Sequence, residues 1–402
     1  MPFSSGVWFS DASWFWRING LHYDLTDFAD LHPGGPEAIR TITERFGGDC
    51  TEAFYAHHLD AERALRVLEP FRVVRHDDAI VPPPASLFHD RLRLCMRAAL
   101  GASGEGPTAA CVACFAWTVQ GYVVSLCACL WSGWYALAAL TGVFATWLGS
   151  FGHNFVHQPK YLRWSRVLDL TGLSSRVWMR EHVLQHHMFT NTERDNHFAG
   201  TEPFLIVDPF AKRGPLQRCA VFFSPFIASL GIFGNLWFRW AEVVRGRERV
   251  TFGEVWLPLQ AAAFIWAHGV VRGVILIFLQ VSVTSTWYFS IALVNHNGAS
   301  SRFGSTARDE EDDWAAWQLR TCVDFDTDCD FYKSVFLYLG LNRHGAHHVF
   351  PRLDFSKHDI AQRVIEKVCA EFGVAYAPTR NFRTAYLDSL ATFAAVQRTR
   401  SV

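Results

Sequence analysis

Residues 108–157 read TAACVACFAWTVQGYVVSLCACLWSGWYALAALTGVFATWLGSFGHNFVH, and the first 44 of them, Thr108 to Phe151, carry no charged side chain. A helix rises about 1.5 Å per residue, so this run is roughly twice what a ~30 Å hydrocarbon core requires. It predicts a helical hairpin that folds back near Trp131-Ser132-Gly133. Two more uncharged runs, Val255–Val271 and Gly273–Asn295, predict a second hairpin. Consecutive uncharged spans of this length do not suit a soluble core.

The stretch Cys219–Phe238 is apolar but different. It contains Pro225, Gly231 and Gly234, and both flanks are basic: Lys212, Arg213 and Arg218 before it, Arg239, Arg245, Arg247 and Arg249 after it. Basic flanks stay on the cytoplasmic side, so this stretch is expected to be an interfacial or re-entrant helix pair rather than a crossing. The turns near residues 131–133 and 269–273 carry only Arg272, as the opposite face should. Four crossings then leave both termini and every polar block in the cytosol.

Composition agrees. The 402 residues are 50% hydrophobic and only 19% charged, below the usual quarter for a soluble chain. A net charge of -1 lacks the basic footprint of a nucleic-acid binder, so no nucleic-acid partner is expected. The ten cysteines are scattered or lie inside apolar runs, and Cys111 and Cys114 have no second pair to complete a metal site. They read as reduced thiols, and residues 1–30 do not read as a signal peptide. Around the apolar block, residues 1–75 have soluble character. Residues 76–106 form a linker about a short surface helix, residues 107–375 a membrane domain, and residues 376–402 a tail.

The excess is in histidine: 18 in all, about twice average usage. Two groups of them have metal-ligand spacing. In the soluble block, Asn19-Gly20 between alternating apolar residues is a hairpin signal, which makes His22 an ordinary strand residue. His32-Pro33-Gly34-Gly35 then sets an imidazole beside a turn where glycine permits close approach. Downstream come Asp49-Cys50-Thr51-Glu52-Ala53-Phe54-Tyr55-Ala56-His57-His58. These segments resemble the cytochrome b5 haem-binding domain over about residues 8–75. The resemblance implies a small α+β domain holding haem b between His32 and a second histidine, His58 by its spacing from Phe54, with His57 the alternative. Bis-histidine ligation leaves no open iron position, which implies one-electron transfer.

In the apolar block, His153 and His157 are four residues apart and share a helix face. His182, His186 and His187 follow, then His296 after the last span, then His344, His347 and His348. On a regular helix His187 would lie about 140° round from His182, so a kink or a second metal is needed to use it. The four-crossing topology brings all nine to one cytosolic face. Nine imidazoles exceed one metal's needs, and nitrogen-rich ligation suits iron.

These boxes, in this order, resemble the membrane fatty-acid desaturase and hydroxylase superfamily over about residues 107–375. The resemblance implies an all-α integral membrane domain with four transmembrane helices under a cytosolic helical cap. It also implies two non-haem irons held by those nine histidines, O2 as oxidant, a fatty acyl lipid or acyl-CoA substrate, an external reductase feeding the haem, and an endoplasmic reticulum location. A desaturase is the first expectation. A hydroxylase on the same scaffold, or a non-catalytic haem electron-transfer or lipid-binding protein, is the alternative.

The sequence departs from the front-end desaturases at His344, where they usually carry Gln, and in the extra residue between His182 and His186. With Asn191-Thr192, both departures lie closer to the animal cytochrome b5-related branch. Candidate orienting acids are Glu181, Asp195, Asp208 and Asp324, and candidate headgroup cations are Lys160, Arg180 and Arg343. His76, His89, His197, His268 and His358 read as structural, with His197 closest to a box.

Overall fold

The computed structural model describes residues 14–46, 48–74, 87–195, 197, 205–208, 210–298, 301–304, 313–376 and 381–395. The proline run of the expected linker and His76 lie outside them.

The N-terminal domain begins with the expected hairpin. Strands β1 (Phe15–Ile18) and β2 (Leu21–Asp24) pair antiparallel, with Ile18 opposite Leu21. Asn19 and Gly20 close the turn with φ of 53° and 77°, the pair of left-handed residues a two-residue turn demands. Helices α1 (Gly35–Phe46), α2 (Thr51–His57) and α3 (Ala61–Leu68) follow, and β3 (Arg72–Val73) returns to the edge of β2. His22 sits in β2 opposite Val73, as the pattern implied.

Helix α4 (Leu87–Leu100) is no free surface helix. Its apolar positions Phe88, Leu92, Met96 and Leu100 are buried in the cap. The described part of the expected linker is therefore packed structure.

Helices α5 (Ala109–Ser132) and α6 (Tyr135–Val156) form the first hairpin, broken where expected by Gly133 at φ 64°. The chain then passes through α7 (Ser175–Trp178), a π-helix over Met179–His186, and α8 (His187–Phe189). Next come α9 (Pro215–Ala220) and α10 (Ser224–Val244). Helices α11 (Phe252–His268) and α12 (Val270–Val294) form the second hairpin. The cap is completed by α13 (Trp314–Thr321), α14 (Phe331–Tyr338), α15 (His344–Val349), α16 (His358–Phe372) and α17 (Phe382–Ala394). The expected tail thus contains an ordered helix, with Ala385, Ser389, Thr392 and Phe393 buried.

Among the described residues, four stretches are long and apolar enough to cross a membrane: Ala109–Ser132, Tyr135–Val156, Gln217–Val244 and Val270–Val294. The third corrects the sequence expectation in part, since Cys219–Phe238 folds mostly into the single long helix α10, entered through the short α9. Just before α10, Val221 packs with Leu293 at the end of α12. Near its other end, Arg239 pairs with Glu254 (3.4 Å) and Glu248 (3.6 Å), and Arg180 beside the second histidine box also pairs with Glu248. Both ends of α10 therefore meet the side of the bundle that bears the histidines.

The 17-residue α11 does traverse the bundle. That Glu254 lies in its first turn, and it ends at His268, whose Nε2 lies 2.9 Å from the Leu130 carbonyl oxygen in the opposite turn. Arg272 donates to Gly133 O there, so the two sparsely charged turns are neighbours. Pro258 inside α11 cannot donate to Glu254 O, and the Trp240 indole N–H takes that place at 3.2 Å.

Candidate metal centre

The first box is carried by the end of α6. His153 lies in its last turn and His157 caps it, and their rings are 5.3 Å apart. The second box falls in the π-helix. Its i→i+5 hydrogen bonding lengthens the turn by one residue, which resolves the angular problem at His187. The Nε2 atoms of His182 and His187 come to 3.1 Å of each other. His296 follows α12, and α15 places His344, His347 and His348 together. All nine predicted histidines meet at the cap side of the bundle.

They sort into two groups. One ring nitrogen from each of His153, His157, His182 and His347 lies within 4.8 Å of the others, and nitrogens of His187, His347 and His348 form a linking trio. The second group is His296, His344 and His348 with the buried Cys322, and the His186 Nε2 lies 3.1 Å from that of His296. Other Nε2 pairs are as close: His153 and His182 at 2.7 Å, His296 and His344 at 2.8 Å.

This arrangement suits metal ions and little else. His157, His347 and His348 each have a buried Nε2 with no hydrogen-bond partner, an expense for polar atoms away from water. Burial, reinforced by neighbouring imidazoles, holds His157, His182, His187, His344, His347 and His348 well below the ordinary histidine pKa. They are neutral at physiological pH, the form in which an imidazole ligates.

Outer partners fix several rings. Asp195 accepts from His186 Nδ1 at 2.9 Å, and the backbone N–H of Asn191 also donates to it. Burial works against the charge on Asp195, yet the His186 contact and the N–H donors hold its carboxyl down to about 2. His348 Nδ1 faces Gln318 Oε1 at 2.8 Å, and His296 Nδ1 faces Thr321 O at 3.2 Å. Asp324 receives Gly345 N–H at the start of the third box and the Tyr376 hydroxyl.

Of the four candidate acids, Asp195 and Asp324 thus bear on the boxes. Asp208 caps a turn at Phe210, and Glu181 pairs with Arg180. Arg343 is committed to the carbonyls of Thr327 and Cys329, while Lys160 is exposed. Sequence reasoning missed Cys322 and Gln318, because neither belongs to a histidine box and only α13 brings them near.

In the N-terminal domain, the His32 and His58 rings face each other with centroids 6.2 Å apart. An iron between two Nε2 atoms, at roughly 2 Å from each, needs about this separation. His58 Nδ1 lies 2.8 Å from Phe54 O, and Phe54 stacks on its ring. Burial, with Arg352 adding to it, lowers His32 to about 4, and burial lowers His58 to about 3. The carbonyl of His57 instead accepts from Arg352 Nη1 at 3.0 Å, four residues past the third box. At Gly34 a Cβ would meet the His32 ring at 3.0 Å, so the ring would have to shift for any larger residue there.

The N-terminal domain is docked against the cap. Arg176 donates to Glu37 at 3.1 Å, Phe46 stacks on Phe189 at 5.1 Å, and the Arg93 guanidinium lies over the Tyr55 ring.

Residues 130–380 match the family model for fatty acid desaturase, and residues 10–77 match that for the cytochrome b5-like haem/steroid binding domain. The chain is 28% identical to the cytochrome b5-related protein of Drosophila melanogaster, over 85% of this chain and 79% of that one. It is 23% identical to the probable Delta(5) fatty acid desaturase C of Dictyostelium discoideum, covering 95% and 90% of the two chains. It is 25% identical to the acyl-lipid omega-13 desaturase of Chlamydomonas reinhardtii, covering 96% and 94%. No solved structure matches it. With the desaturase model spanning more than half of the chain, and a b5-like domain docked ahead of nine clustered histidines, the protein belongs to the fatty acid desaturase family and carries a fused cytochrome b5-like domain.

Proposed function

We propose that the chain is an O2-dependent fatty acyl desaturase, acting on an acyl-lipid or acyl-CoA, with two non-haem irons and electrons supplied through its own haem b domain. The observation that supports this most is the dry convergence of His153, His157, His182, His186, His187, His296, His344, His347 and His348 at the cap ends of α6 and α12. Two irons bound there would supply the oxidising power to remove hydrogen from an unactivated methylene, which no side chain can do.

The chain's own contribution is placement. His153, His157, His182, His187 and His347 would hold one iron, and His186, His296, His344 and His348 the other. Asp195 and Gln318 orient His186 and His348 from behind, which fixes the ring nitrogen left for the metal. Burial of the cluster keeps water from an oxidising centre. His32 and His58 would hold the haem, filled from an external reductase. The basic flanks of α10 support a cap facing the cytosol, as in an endoplasmic reticulum enzyme with both termini on that side.

The test is expression in a desaturase-deficient host followed by lipid profiling. New double bonds in the acyl pool are the expected result. Hydroxylated lipids would reassign the chemistry to hydroxylation. An unchanged lipid profile from protein that holds haem but no other iron would leave only the electron carrier.

A further inference from the structure

The second group has one imidazole fewer than the first, and an unassigned histidine stands beside it. His197 stacks on His186 with ring centroids 4.4 Å apart and an interplanar angle of 23°. It also stacks on His182, at 5.4 Å and 17°. The ligating nitrogens of His182, His186 and His197 all lie within 4.8 Å of one another. His182 belongs to the first group and His186 to the second, so His197 spans the gap between them.

It is held there by the device that holds His186. The His197 backbone N–H donates to Asp195 Oδ1 at 2.9 Å, while His186 Nδ1 lies 2.9 Å from Oδ2 of the same carboxylate. One buried acid therefore meets the His186 ring and anchors the backbone that carries His197. His182, His186 and His197 thus form three nearly parallel rings, and the tilted Trp178 ring lies 5.8 Å from His197 and 5.0 Å from His182 beside them.

We propose that His197 is a tenth imidazole ligand of the centre, completing the second group alongside His186, His296, His344 and His348. A residue kept only to fill space between two imidazoles needs a flat ring. A ligand needs a lone pair. The two roles separate cleanly by substitution, because phenylalanine keeps the ring without the lone pair and aspartate keeps a donor without the ring.

The inference rests on the di-iron reading above, and the experiment separates their failures. Full-length protein is purified in detergent, non-haem iron is measured per haem, and its release to an excess of chelator is timed. Wild-type protein is expected to hold about two non-haem irons per haem. The His197→Phe variant is expected to release one of them at least about tenfold faster, the scale on which loss of a supporting group weakens a metal site. The His197→Asp variant is expected to release iron nearly as slowly as wild type. Equal release from wild type and His197→Phe overturns the inference and leaves the di-iron reading standing. So does release from His197→Asp as fast as from His197→Phe, since a donor at this position without the imidazole would then hold no iron. Wild-type protein with haem and no other iron overturns both. The haem Soret band, which depends on the separate His32/His58 pair, reports in each variant that the chain has folded.

Discussion

The Nε2 atoms of His182 and His187 lie 3.1 Å apart although the residues are five positions apart in the chain, because the helix between them is wound with an i→i+5 repeat. On an ordinary helix the two rings would diverge and the first group would lose a member. His182 also touches His153 at 2.7 Å, which makes it the hub of that group. His182→Ala is therefore expected to cut non-haem iron from about two to about one per chain, with the haem spectrum unchanged. Elemental analysis beside the Soret absorbance checks this, and full iron occupancy in the variant would remove His182 from the ligand set.

Docking of the haem domain rests partly on Arg176 and Glu37, 3.1 Å apart with side chains 38% and 29% exposed. An ion pair this accessible contributes only about 0.2–1 kcal/mol. Glu37→Arg is expected to loosen the interface modestly, seen as faster amide exchange in α1 and the π-helix. The charge-swapped double variant, Glu37→Arg with Arg176→Glu, is expected to recover most of the loss. Failure of the swap to recover it would show that Phe46 on Phe189 carries the docking instead.

Inside the bundle, the Tyr122 hydroxyl receives the Gln260 side-chain N–H at 2.6 Å and the Trp256 indole N–H at 3.0 Å. Gln280 donates in turn to Gln260 at 2.8 Å. Tyr122→Phe strands two donors among apolar helices and is expected to cost about 1–3 kcal/mol. Thermal unfolding in detergent measures it. A fall in Tm that Gln260→Leu partly restores in the Tyr122→Phe background would place the penalty on the unpaired amide.

Acid should weaken the cap through His89. Burial, with Arg93 adding to it, lowers this histidine from 6.5 to about 3. A base whose folded pKa is depressed contributes stability that is complete above about 6.5 and is lost as pH falls toward 3, by up to about 1.4 kcal/mol per pH unit. The Tm of the wild-type protein should fall between pH 7 and 5, and His89→Gln should flatten that slope. An unchanged slope would shift the effect to the other buried histidines.

The parts legible in the sequence are those written as local patterns. The uncharged run to Phe151, the Asn19-Gly20 turn and the break at Gly133 depend on neighbours along the chain, and each folds as read. The histidine boxes were legible for the same reason, since their spacing repeats on a helix. What escaped depends on contacts between distant segments. The wound-out turn at Met179–His186 leaves no local mark beyond an awkward angle at His187. Cys322 and Gln318 join the centre only because α13 packs on α15. Cys219–Phe238 was legible as an apolar stretch and not by its shape: Pro225 and the two glycines suggested a break that α10 does not have.

Buried side chains of the N-terminal domain, including Ile39, Ile42, Phe54 and Leu68, belong to the same apolar cluster as Leu92, Met96, Val349 and Leu353 of the cap. A tether alone would raise the local concentration of one domain near the other and leave both free to part. A shared interior does more: removing residues 1–75 would bare oily surface on the remainder. The two domains are then obliged to mature together, and a chain that misfolds its b5-like domain forfeits the packing around its histidine cluster in the same event.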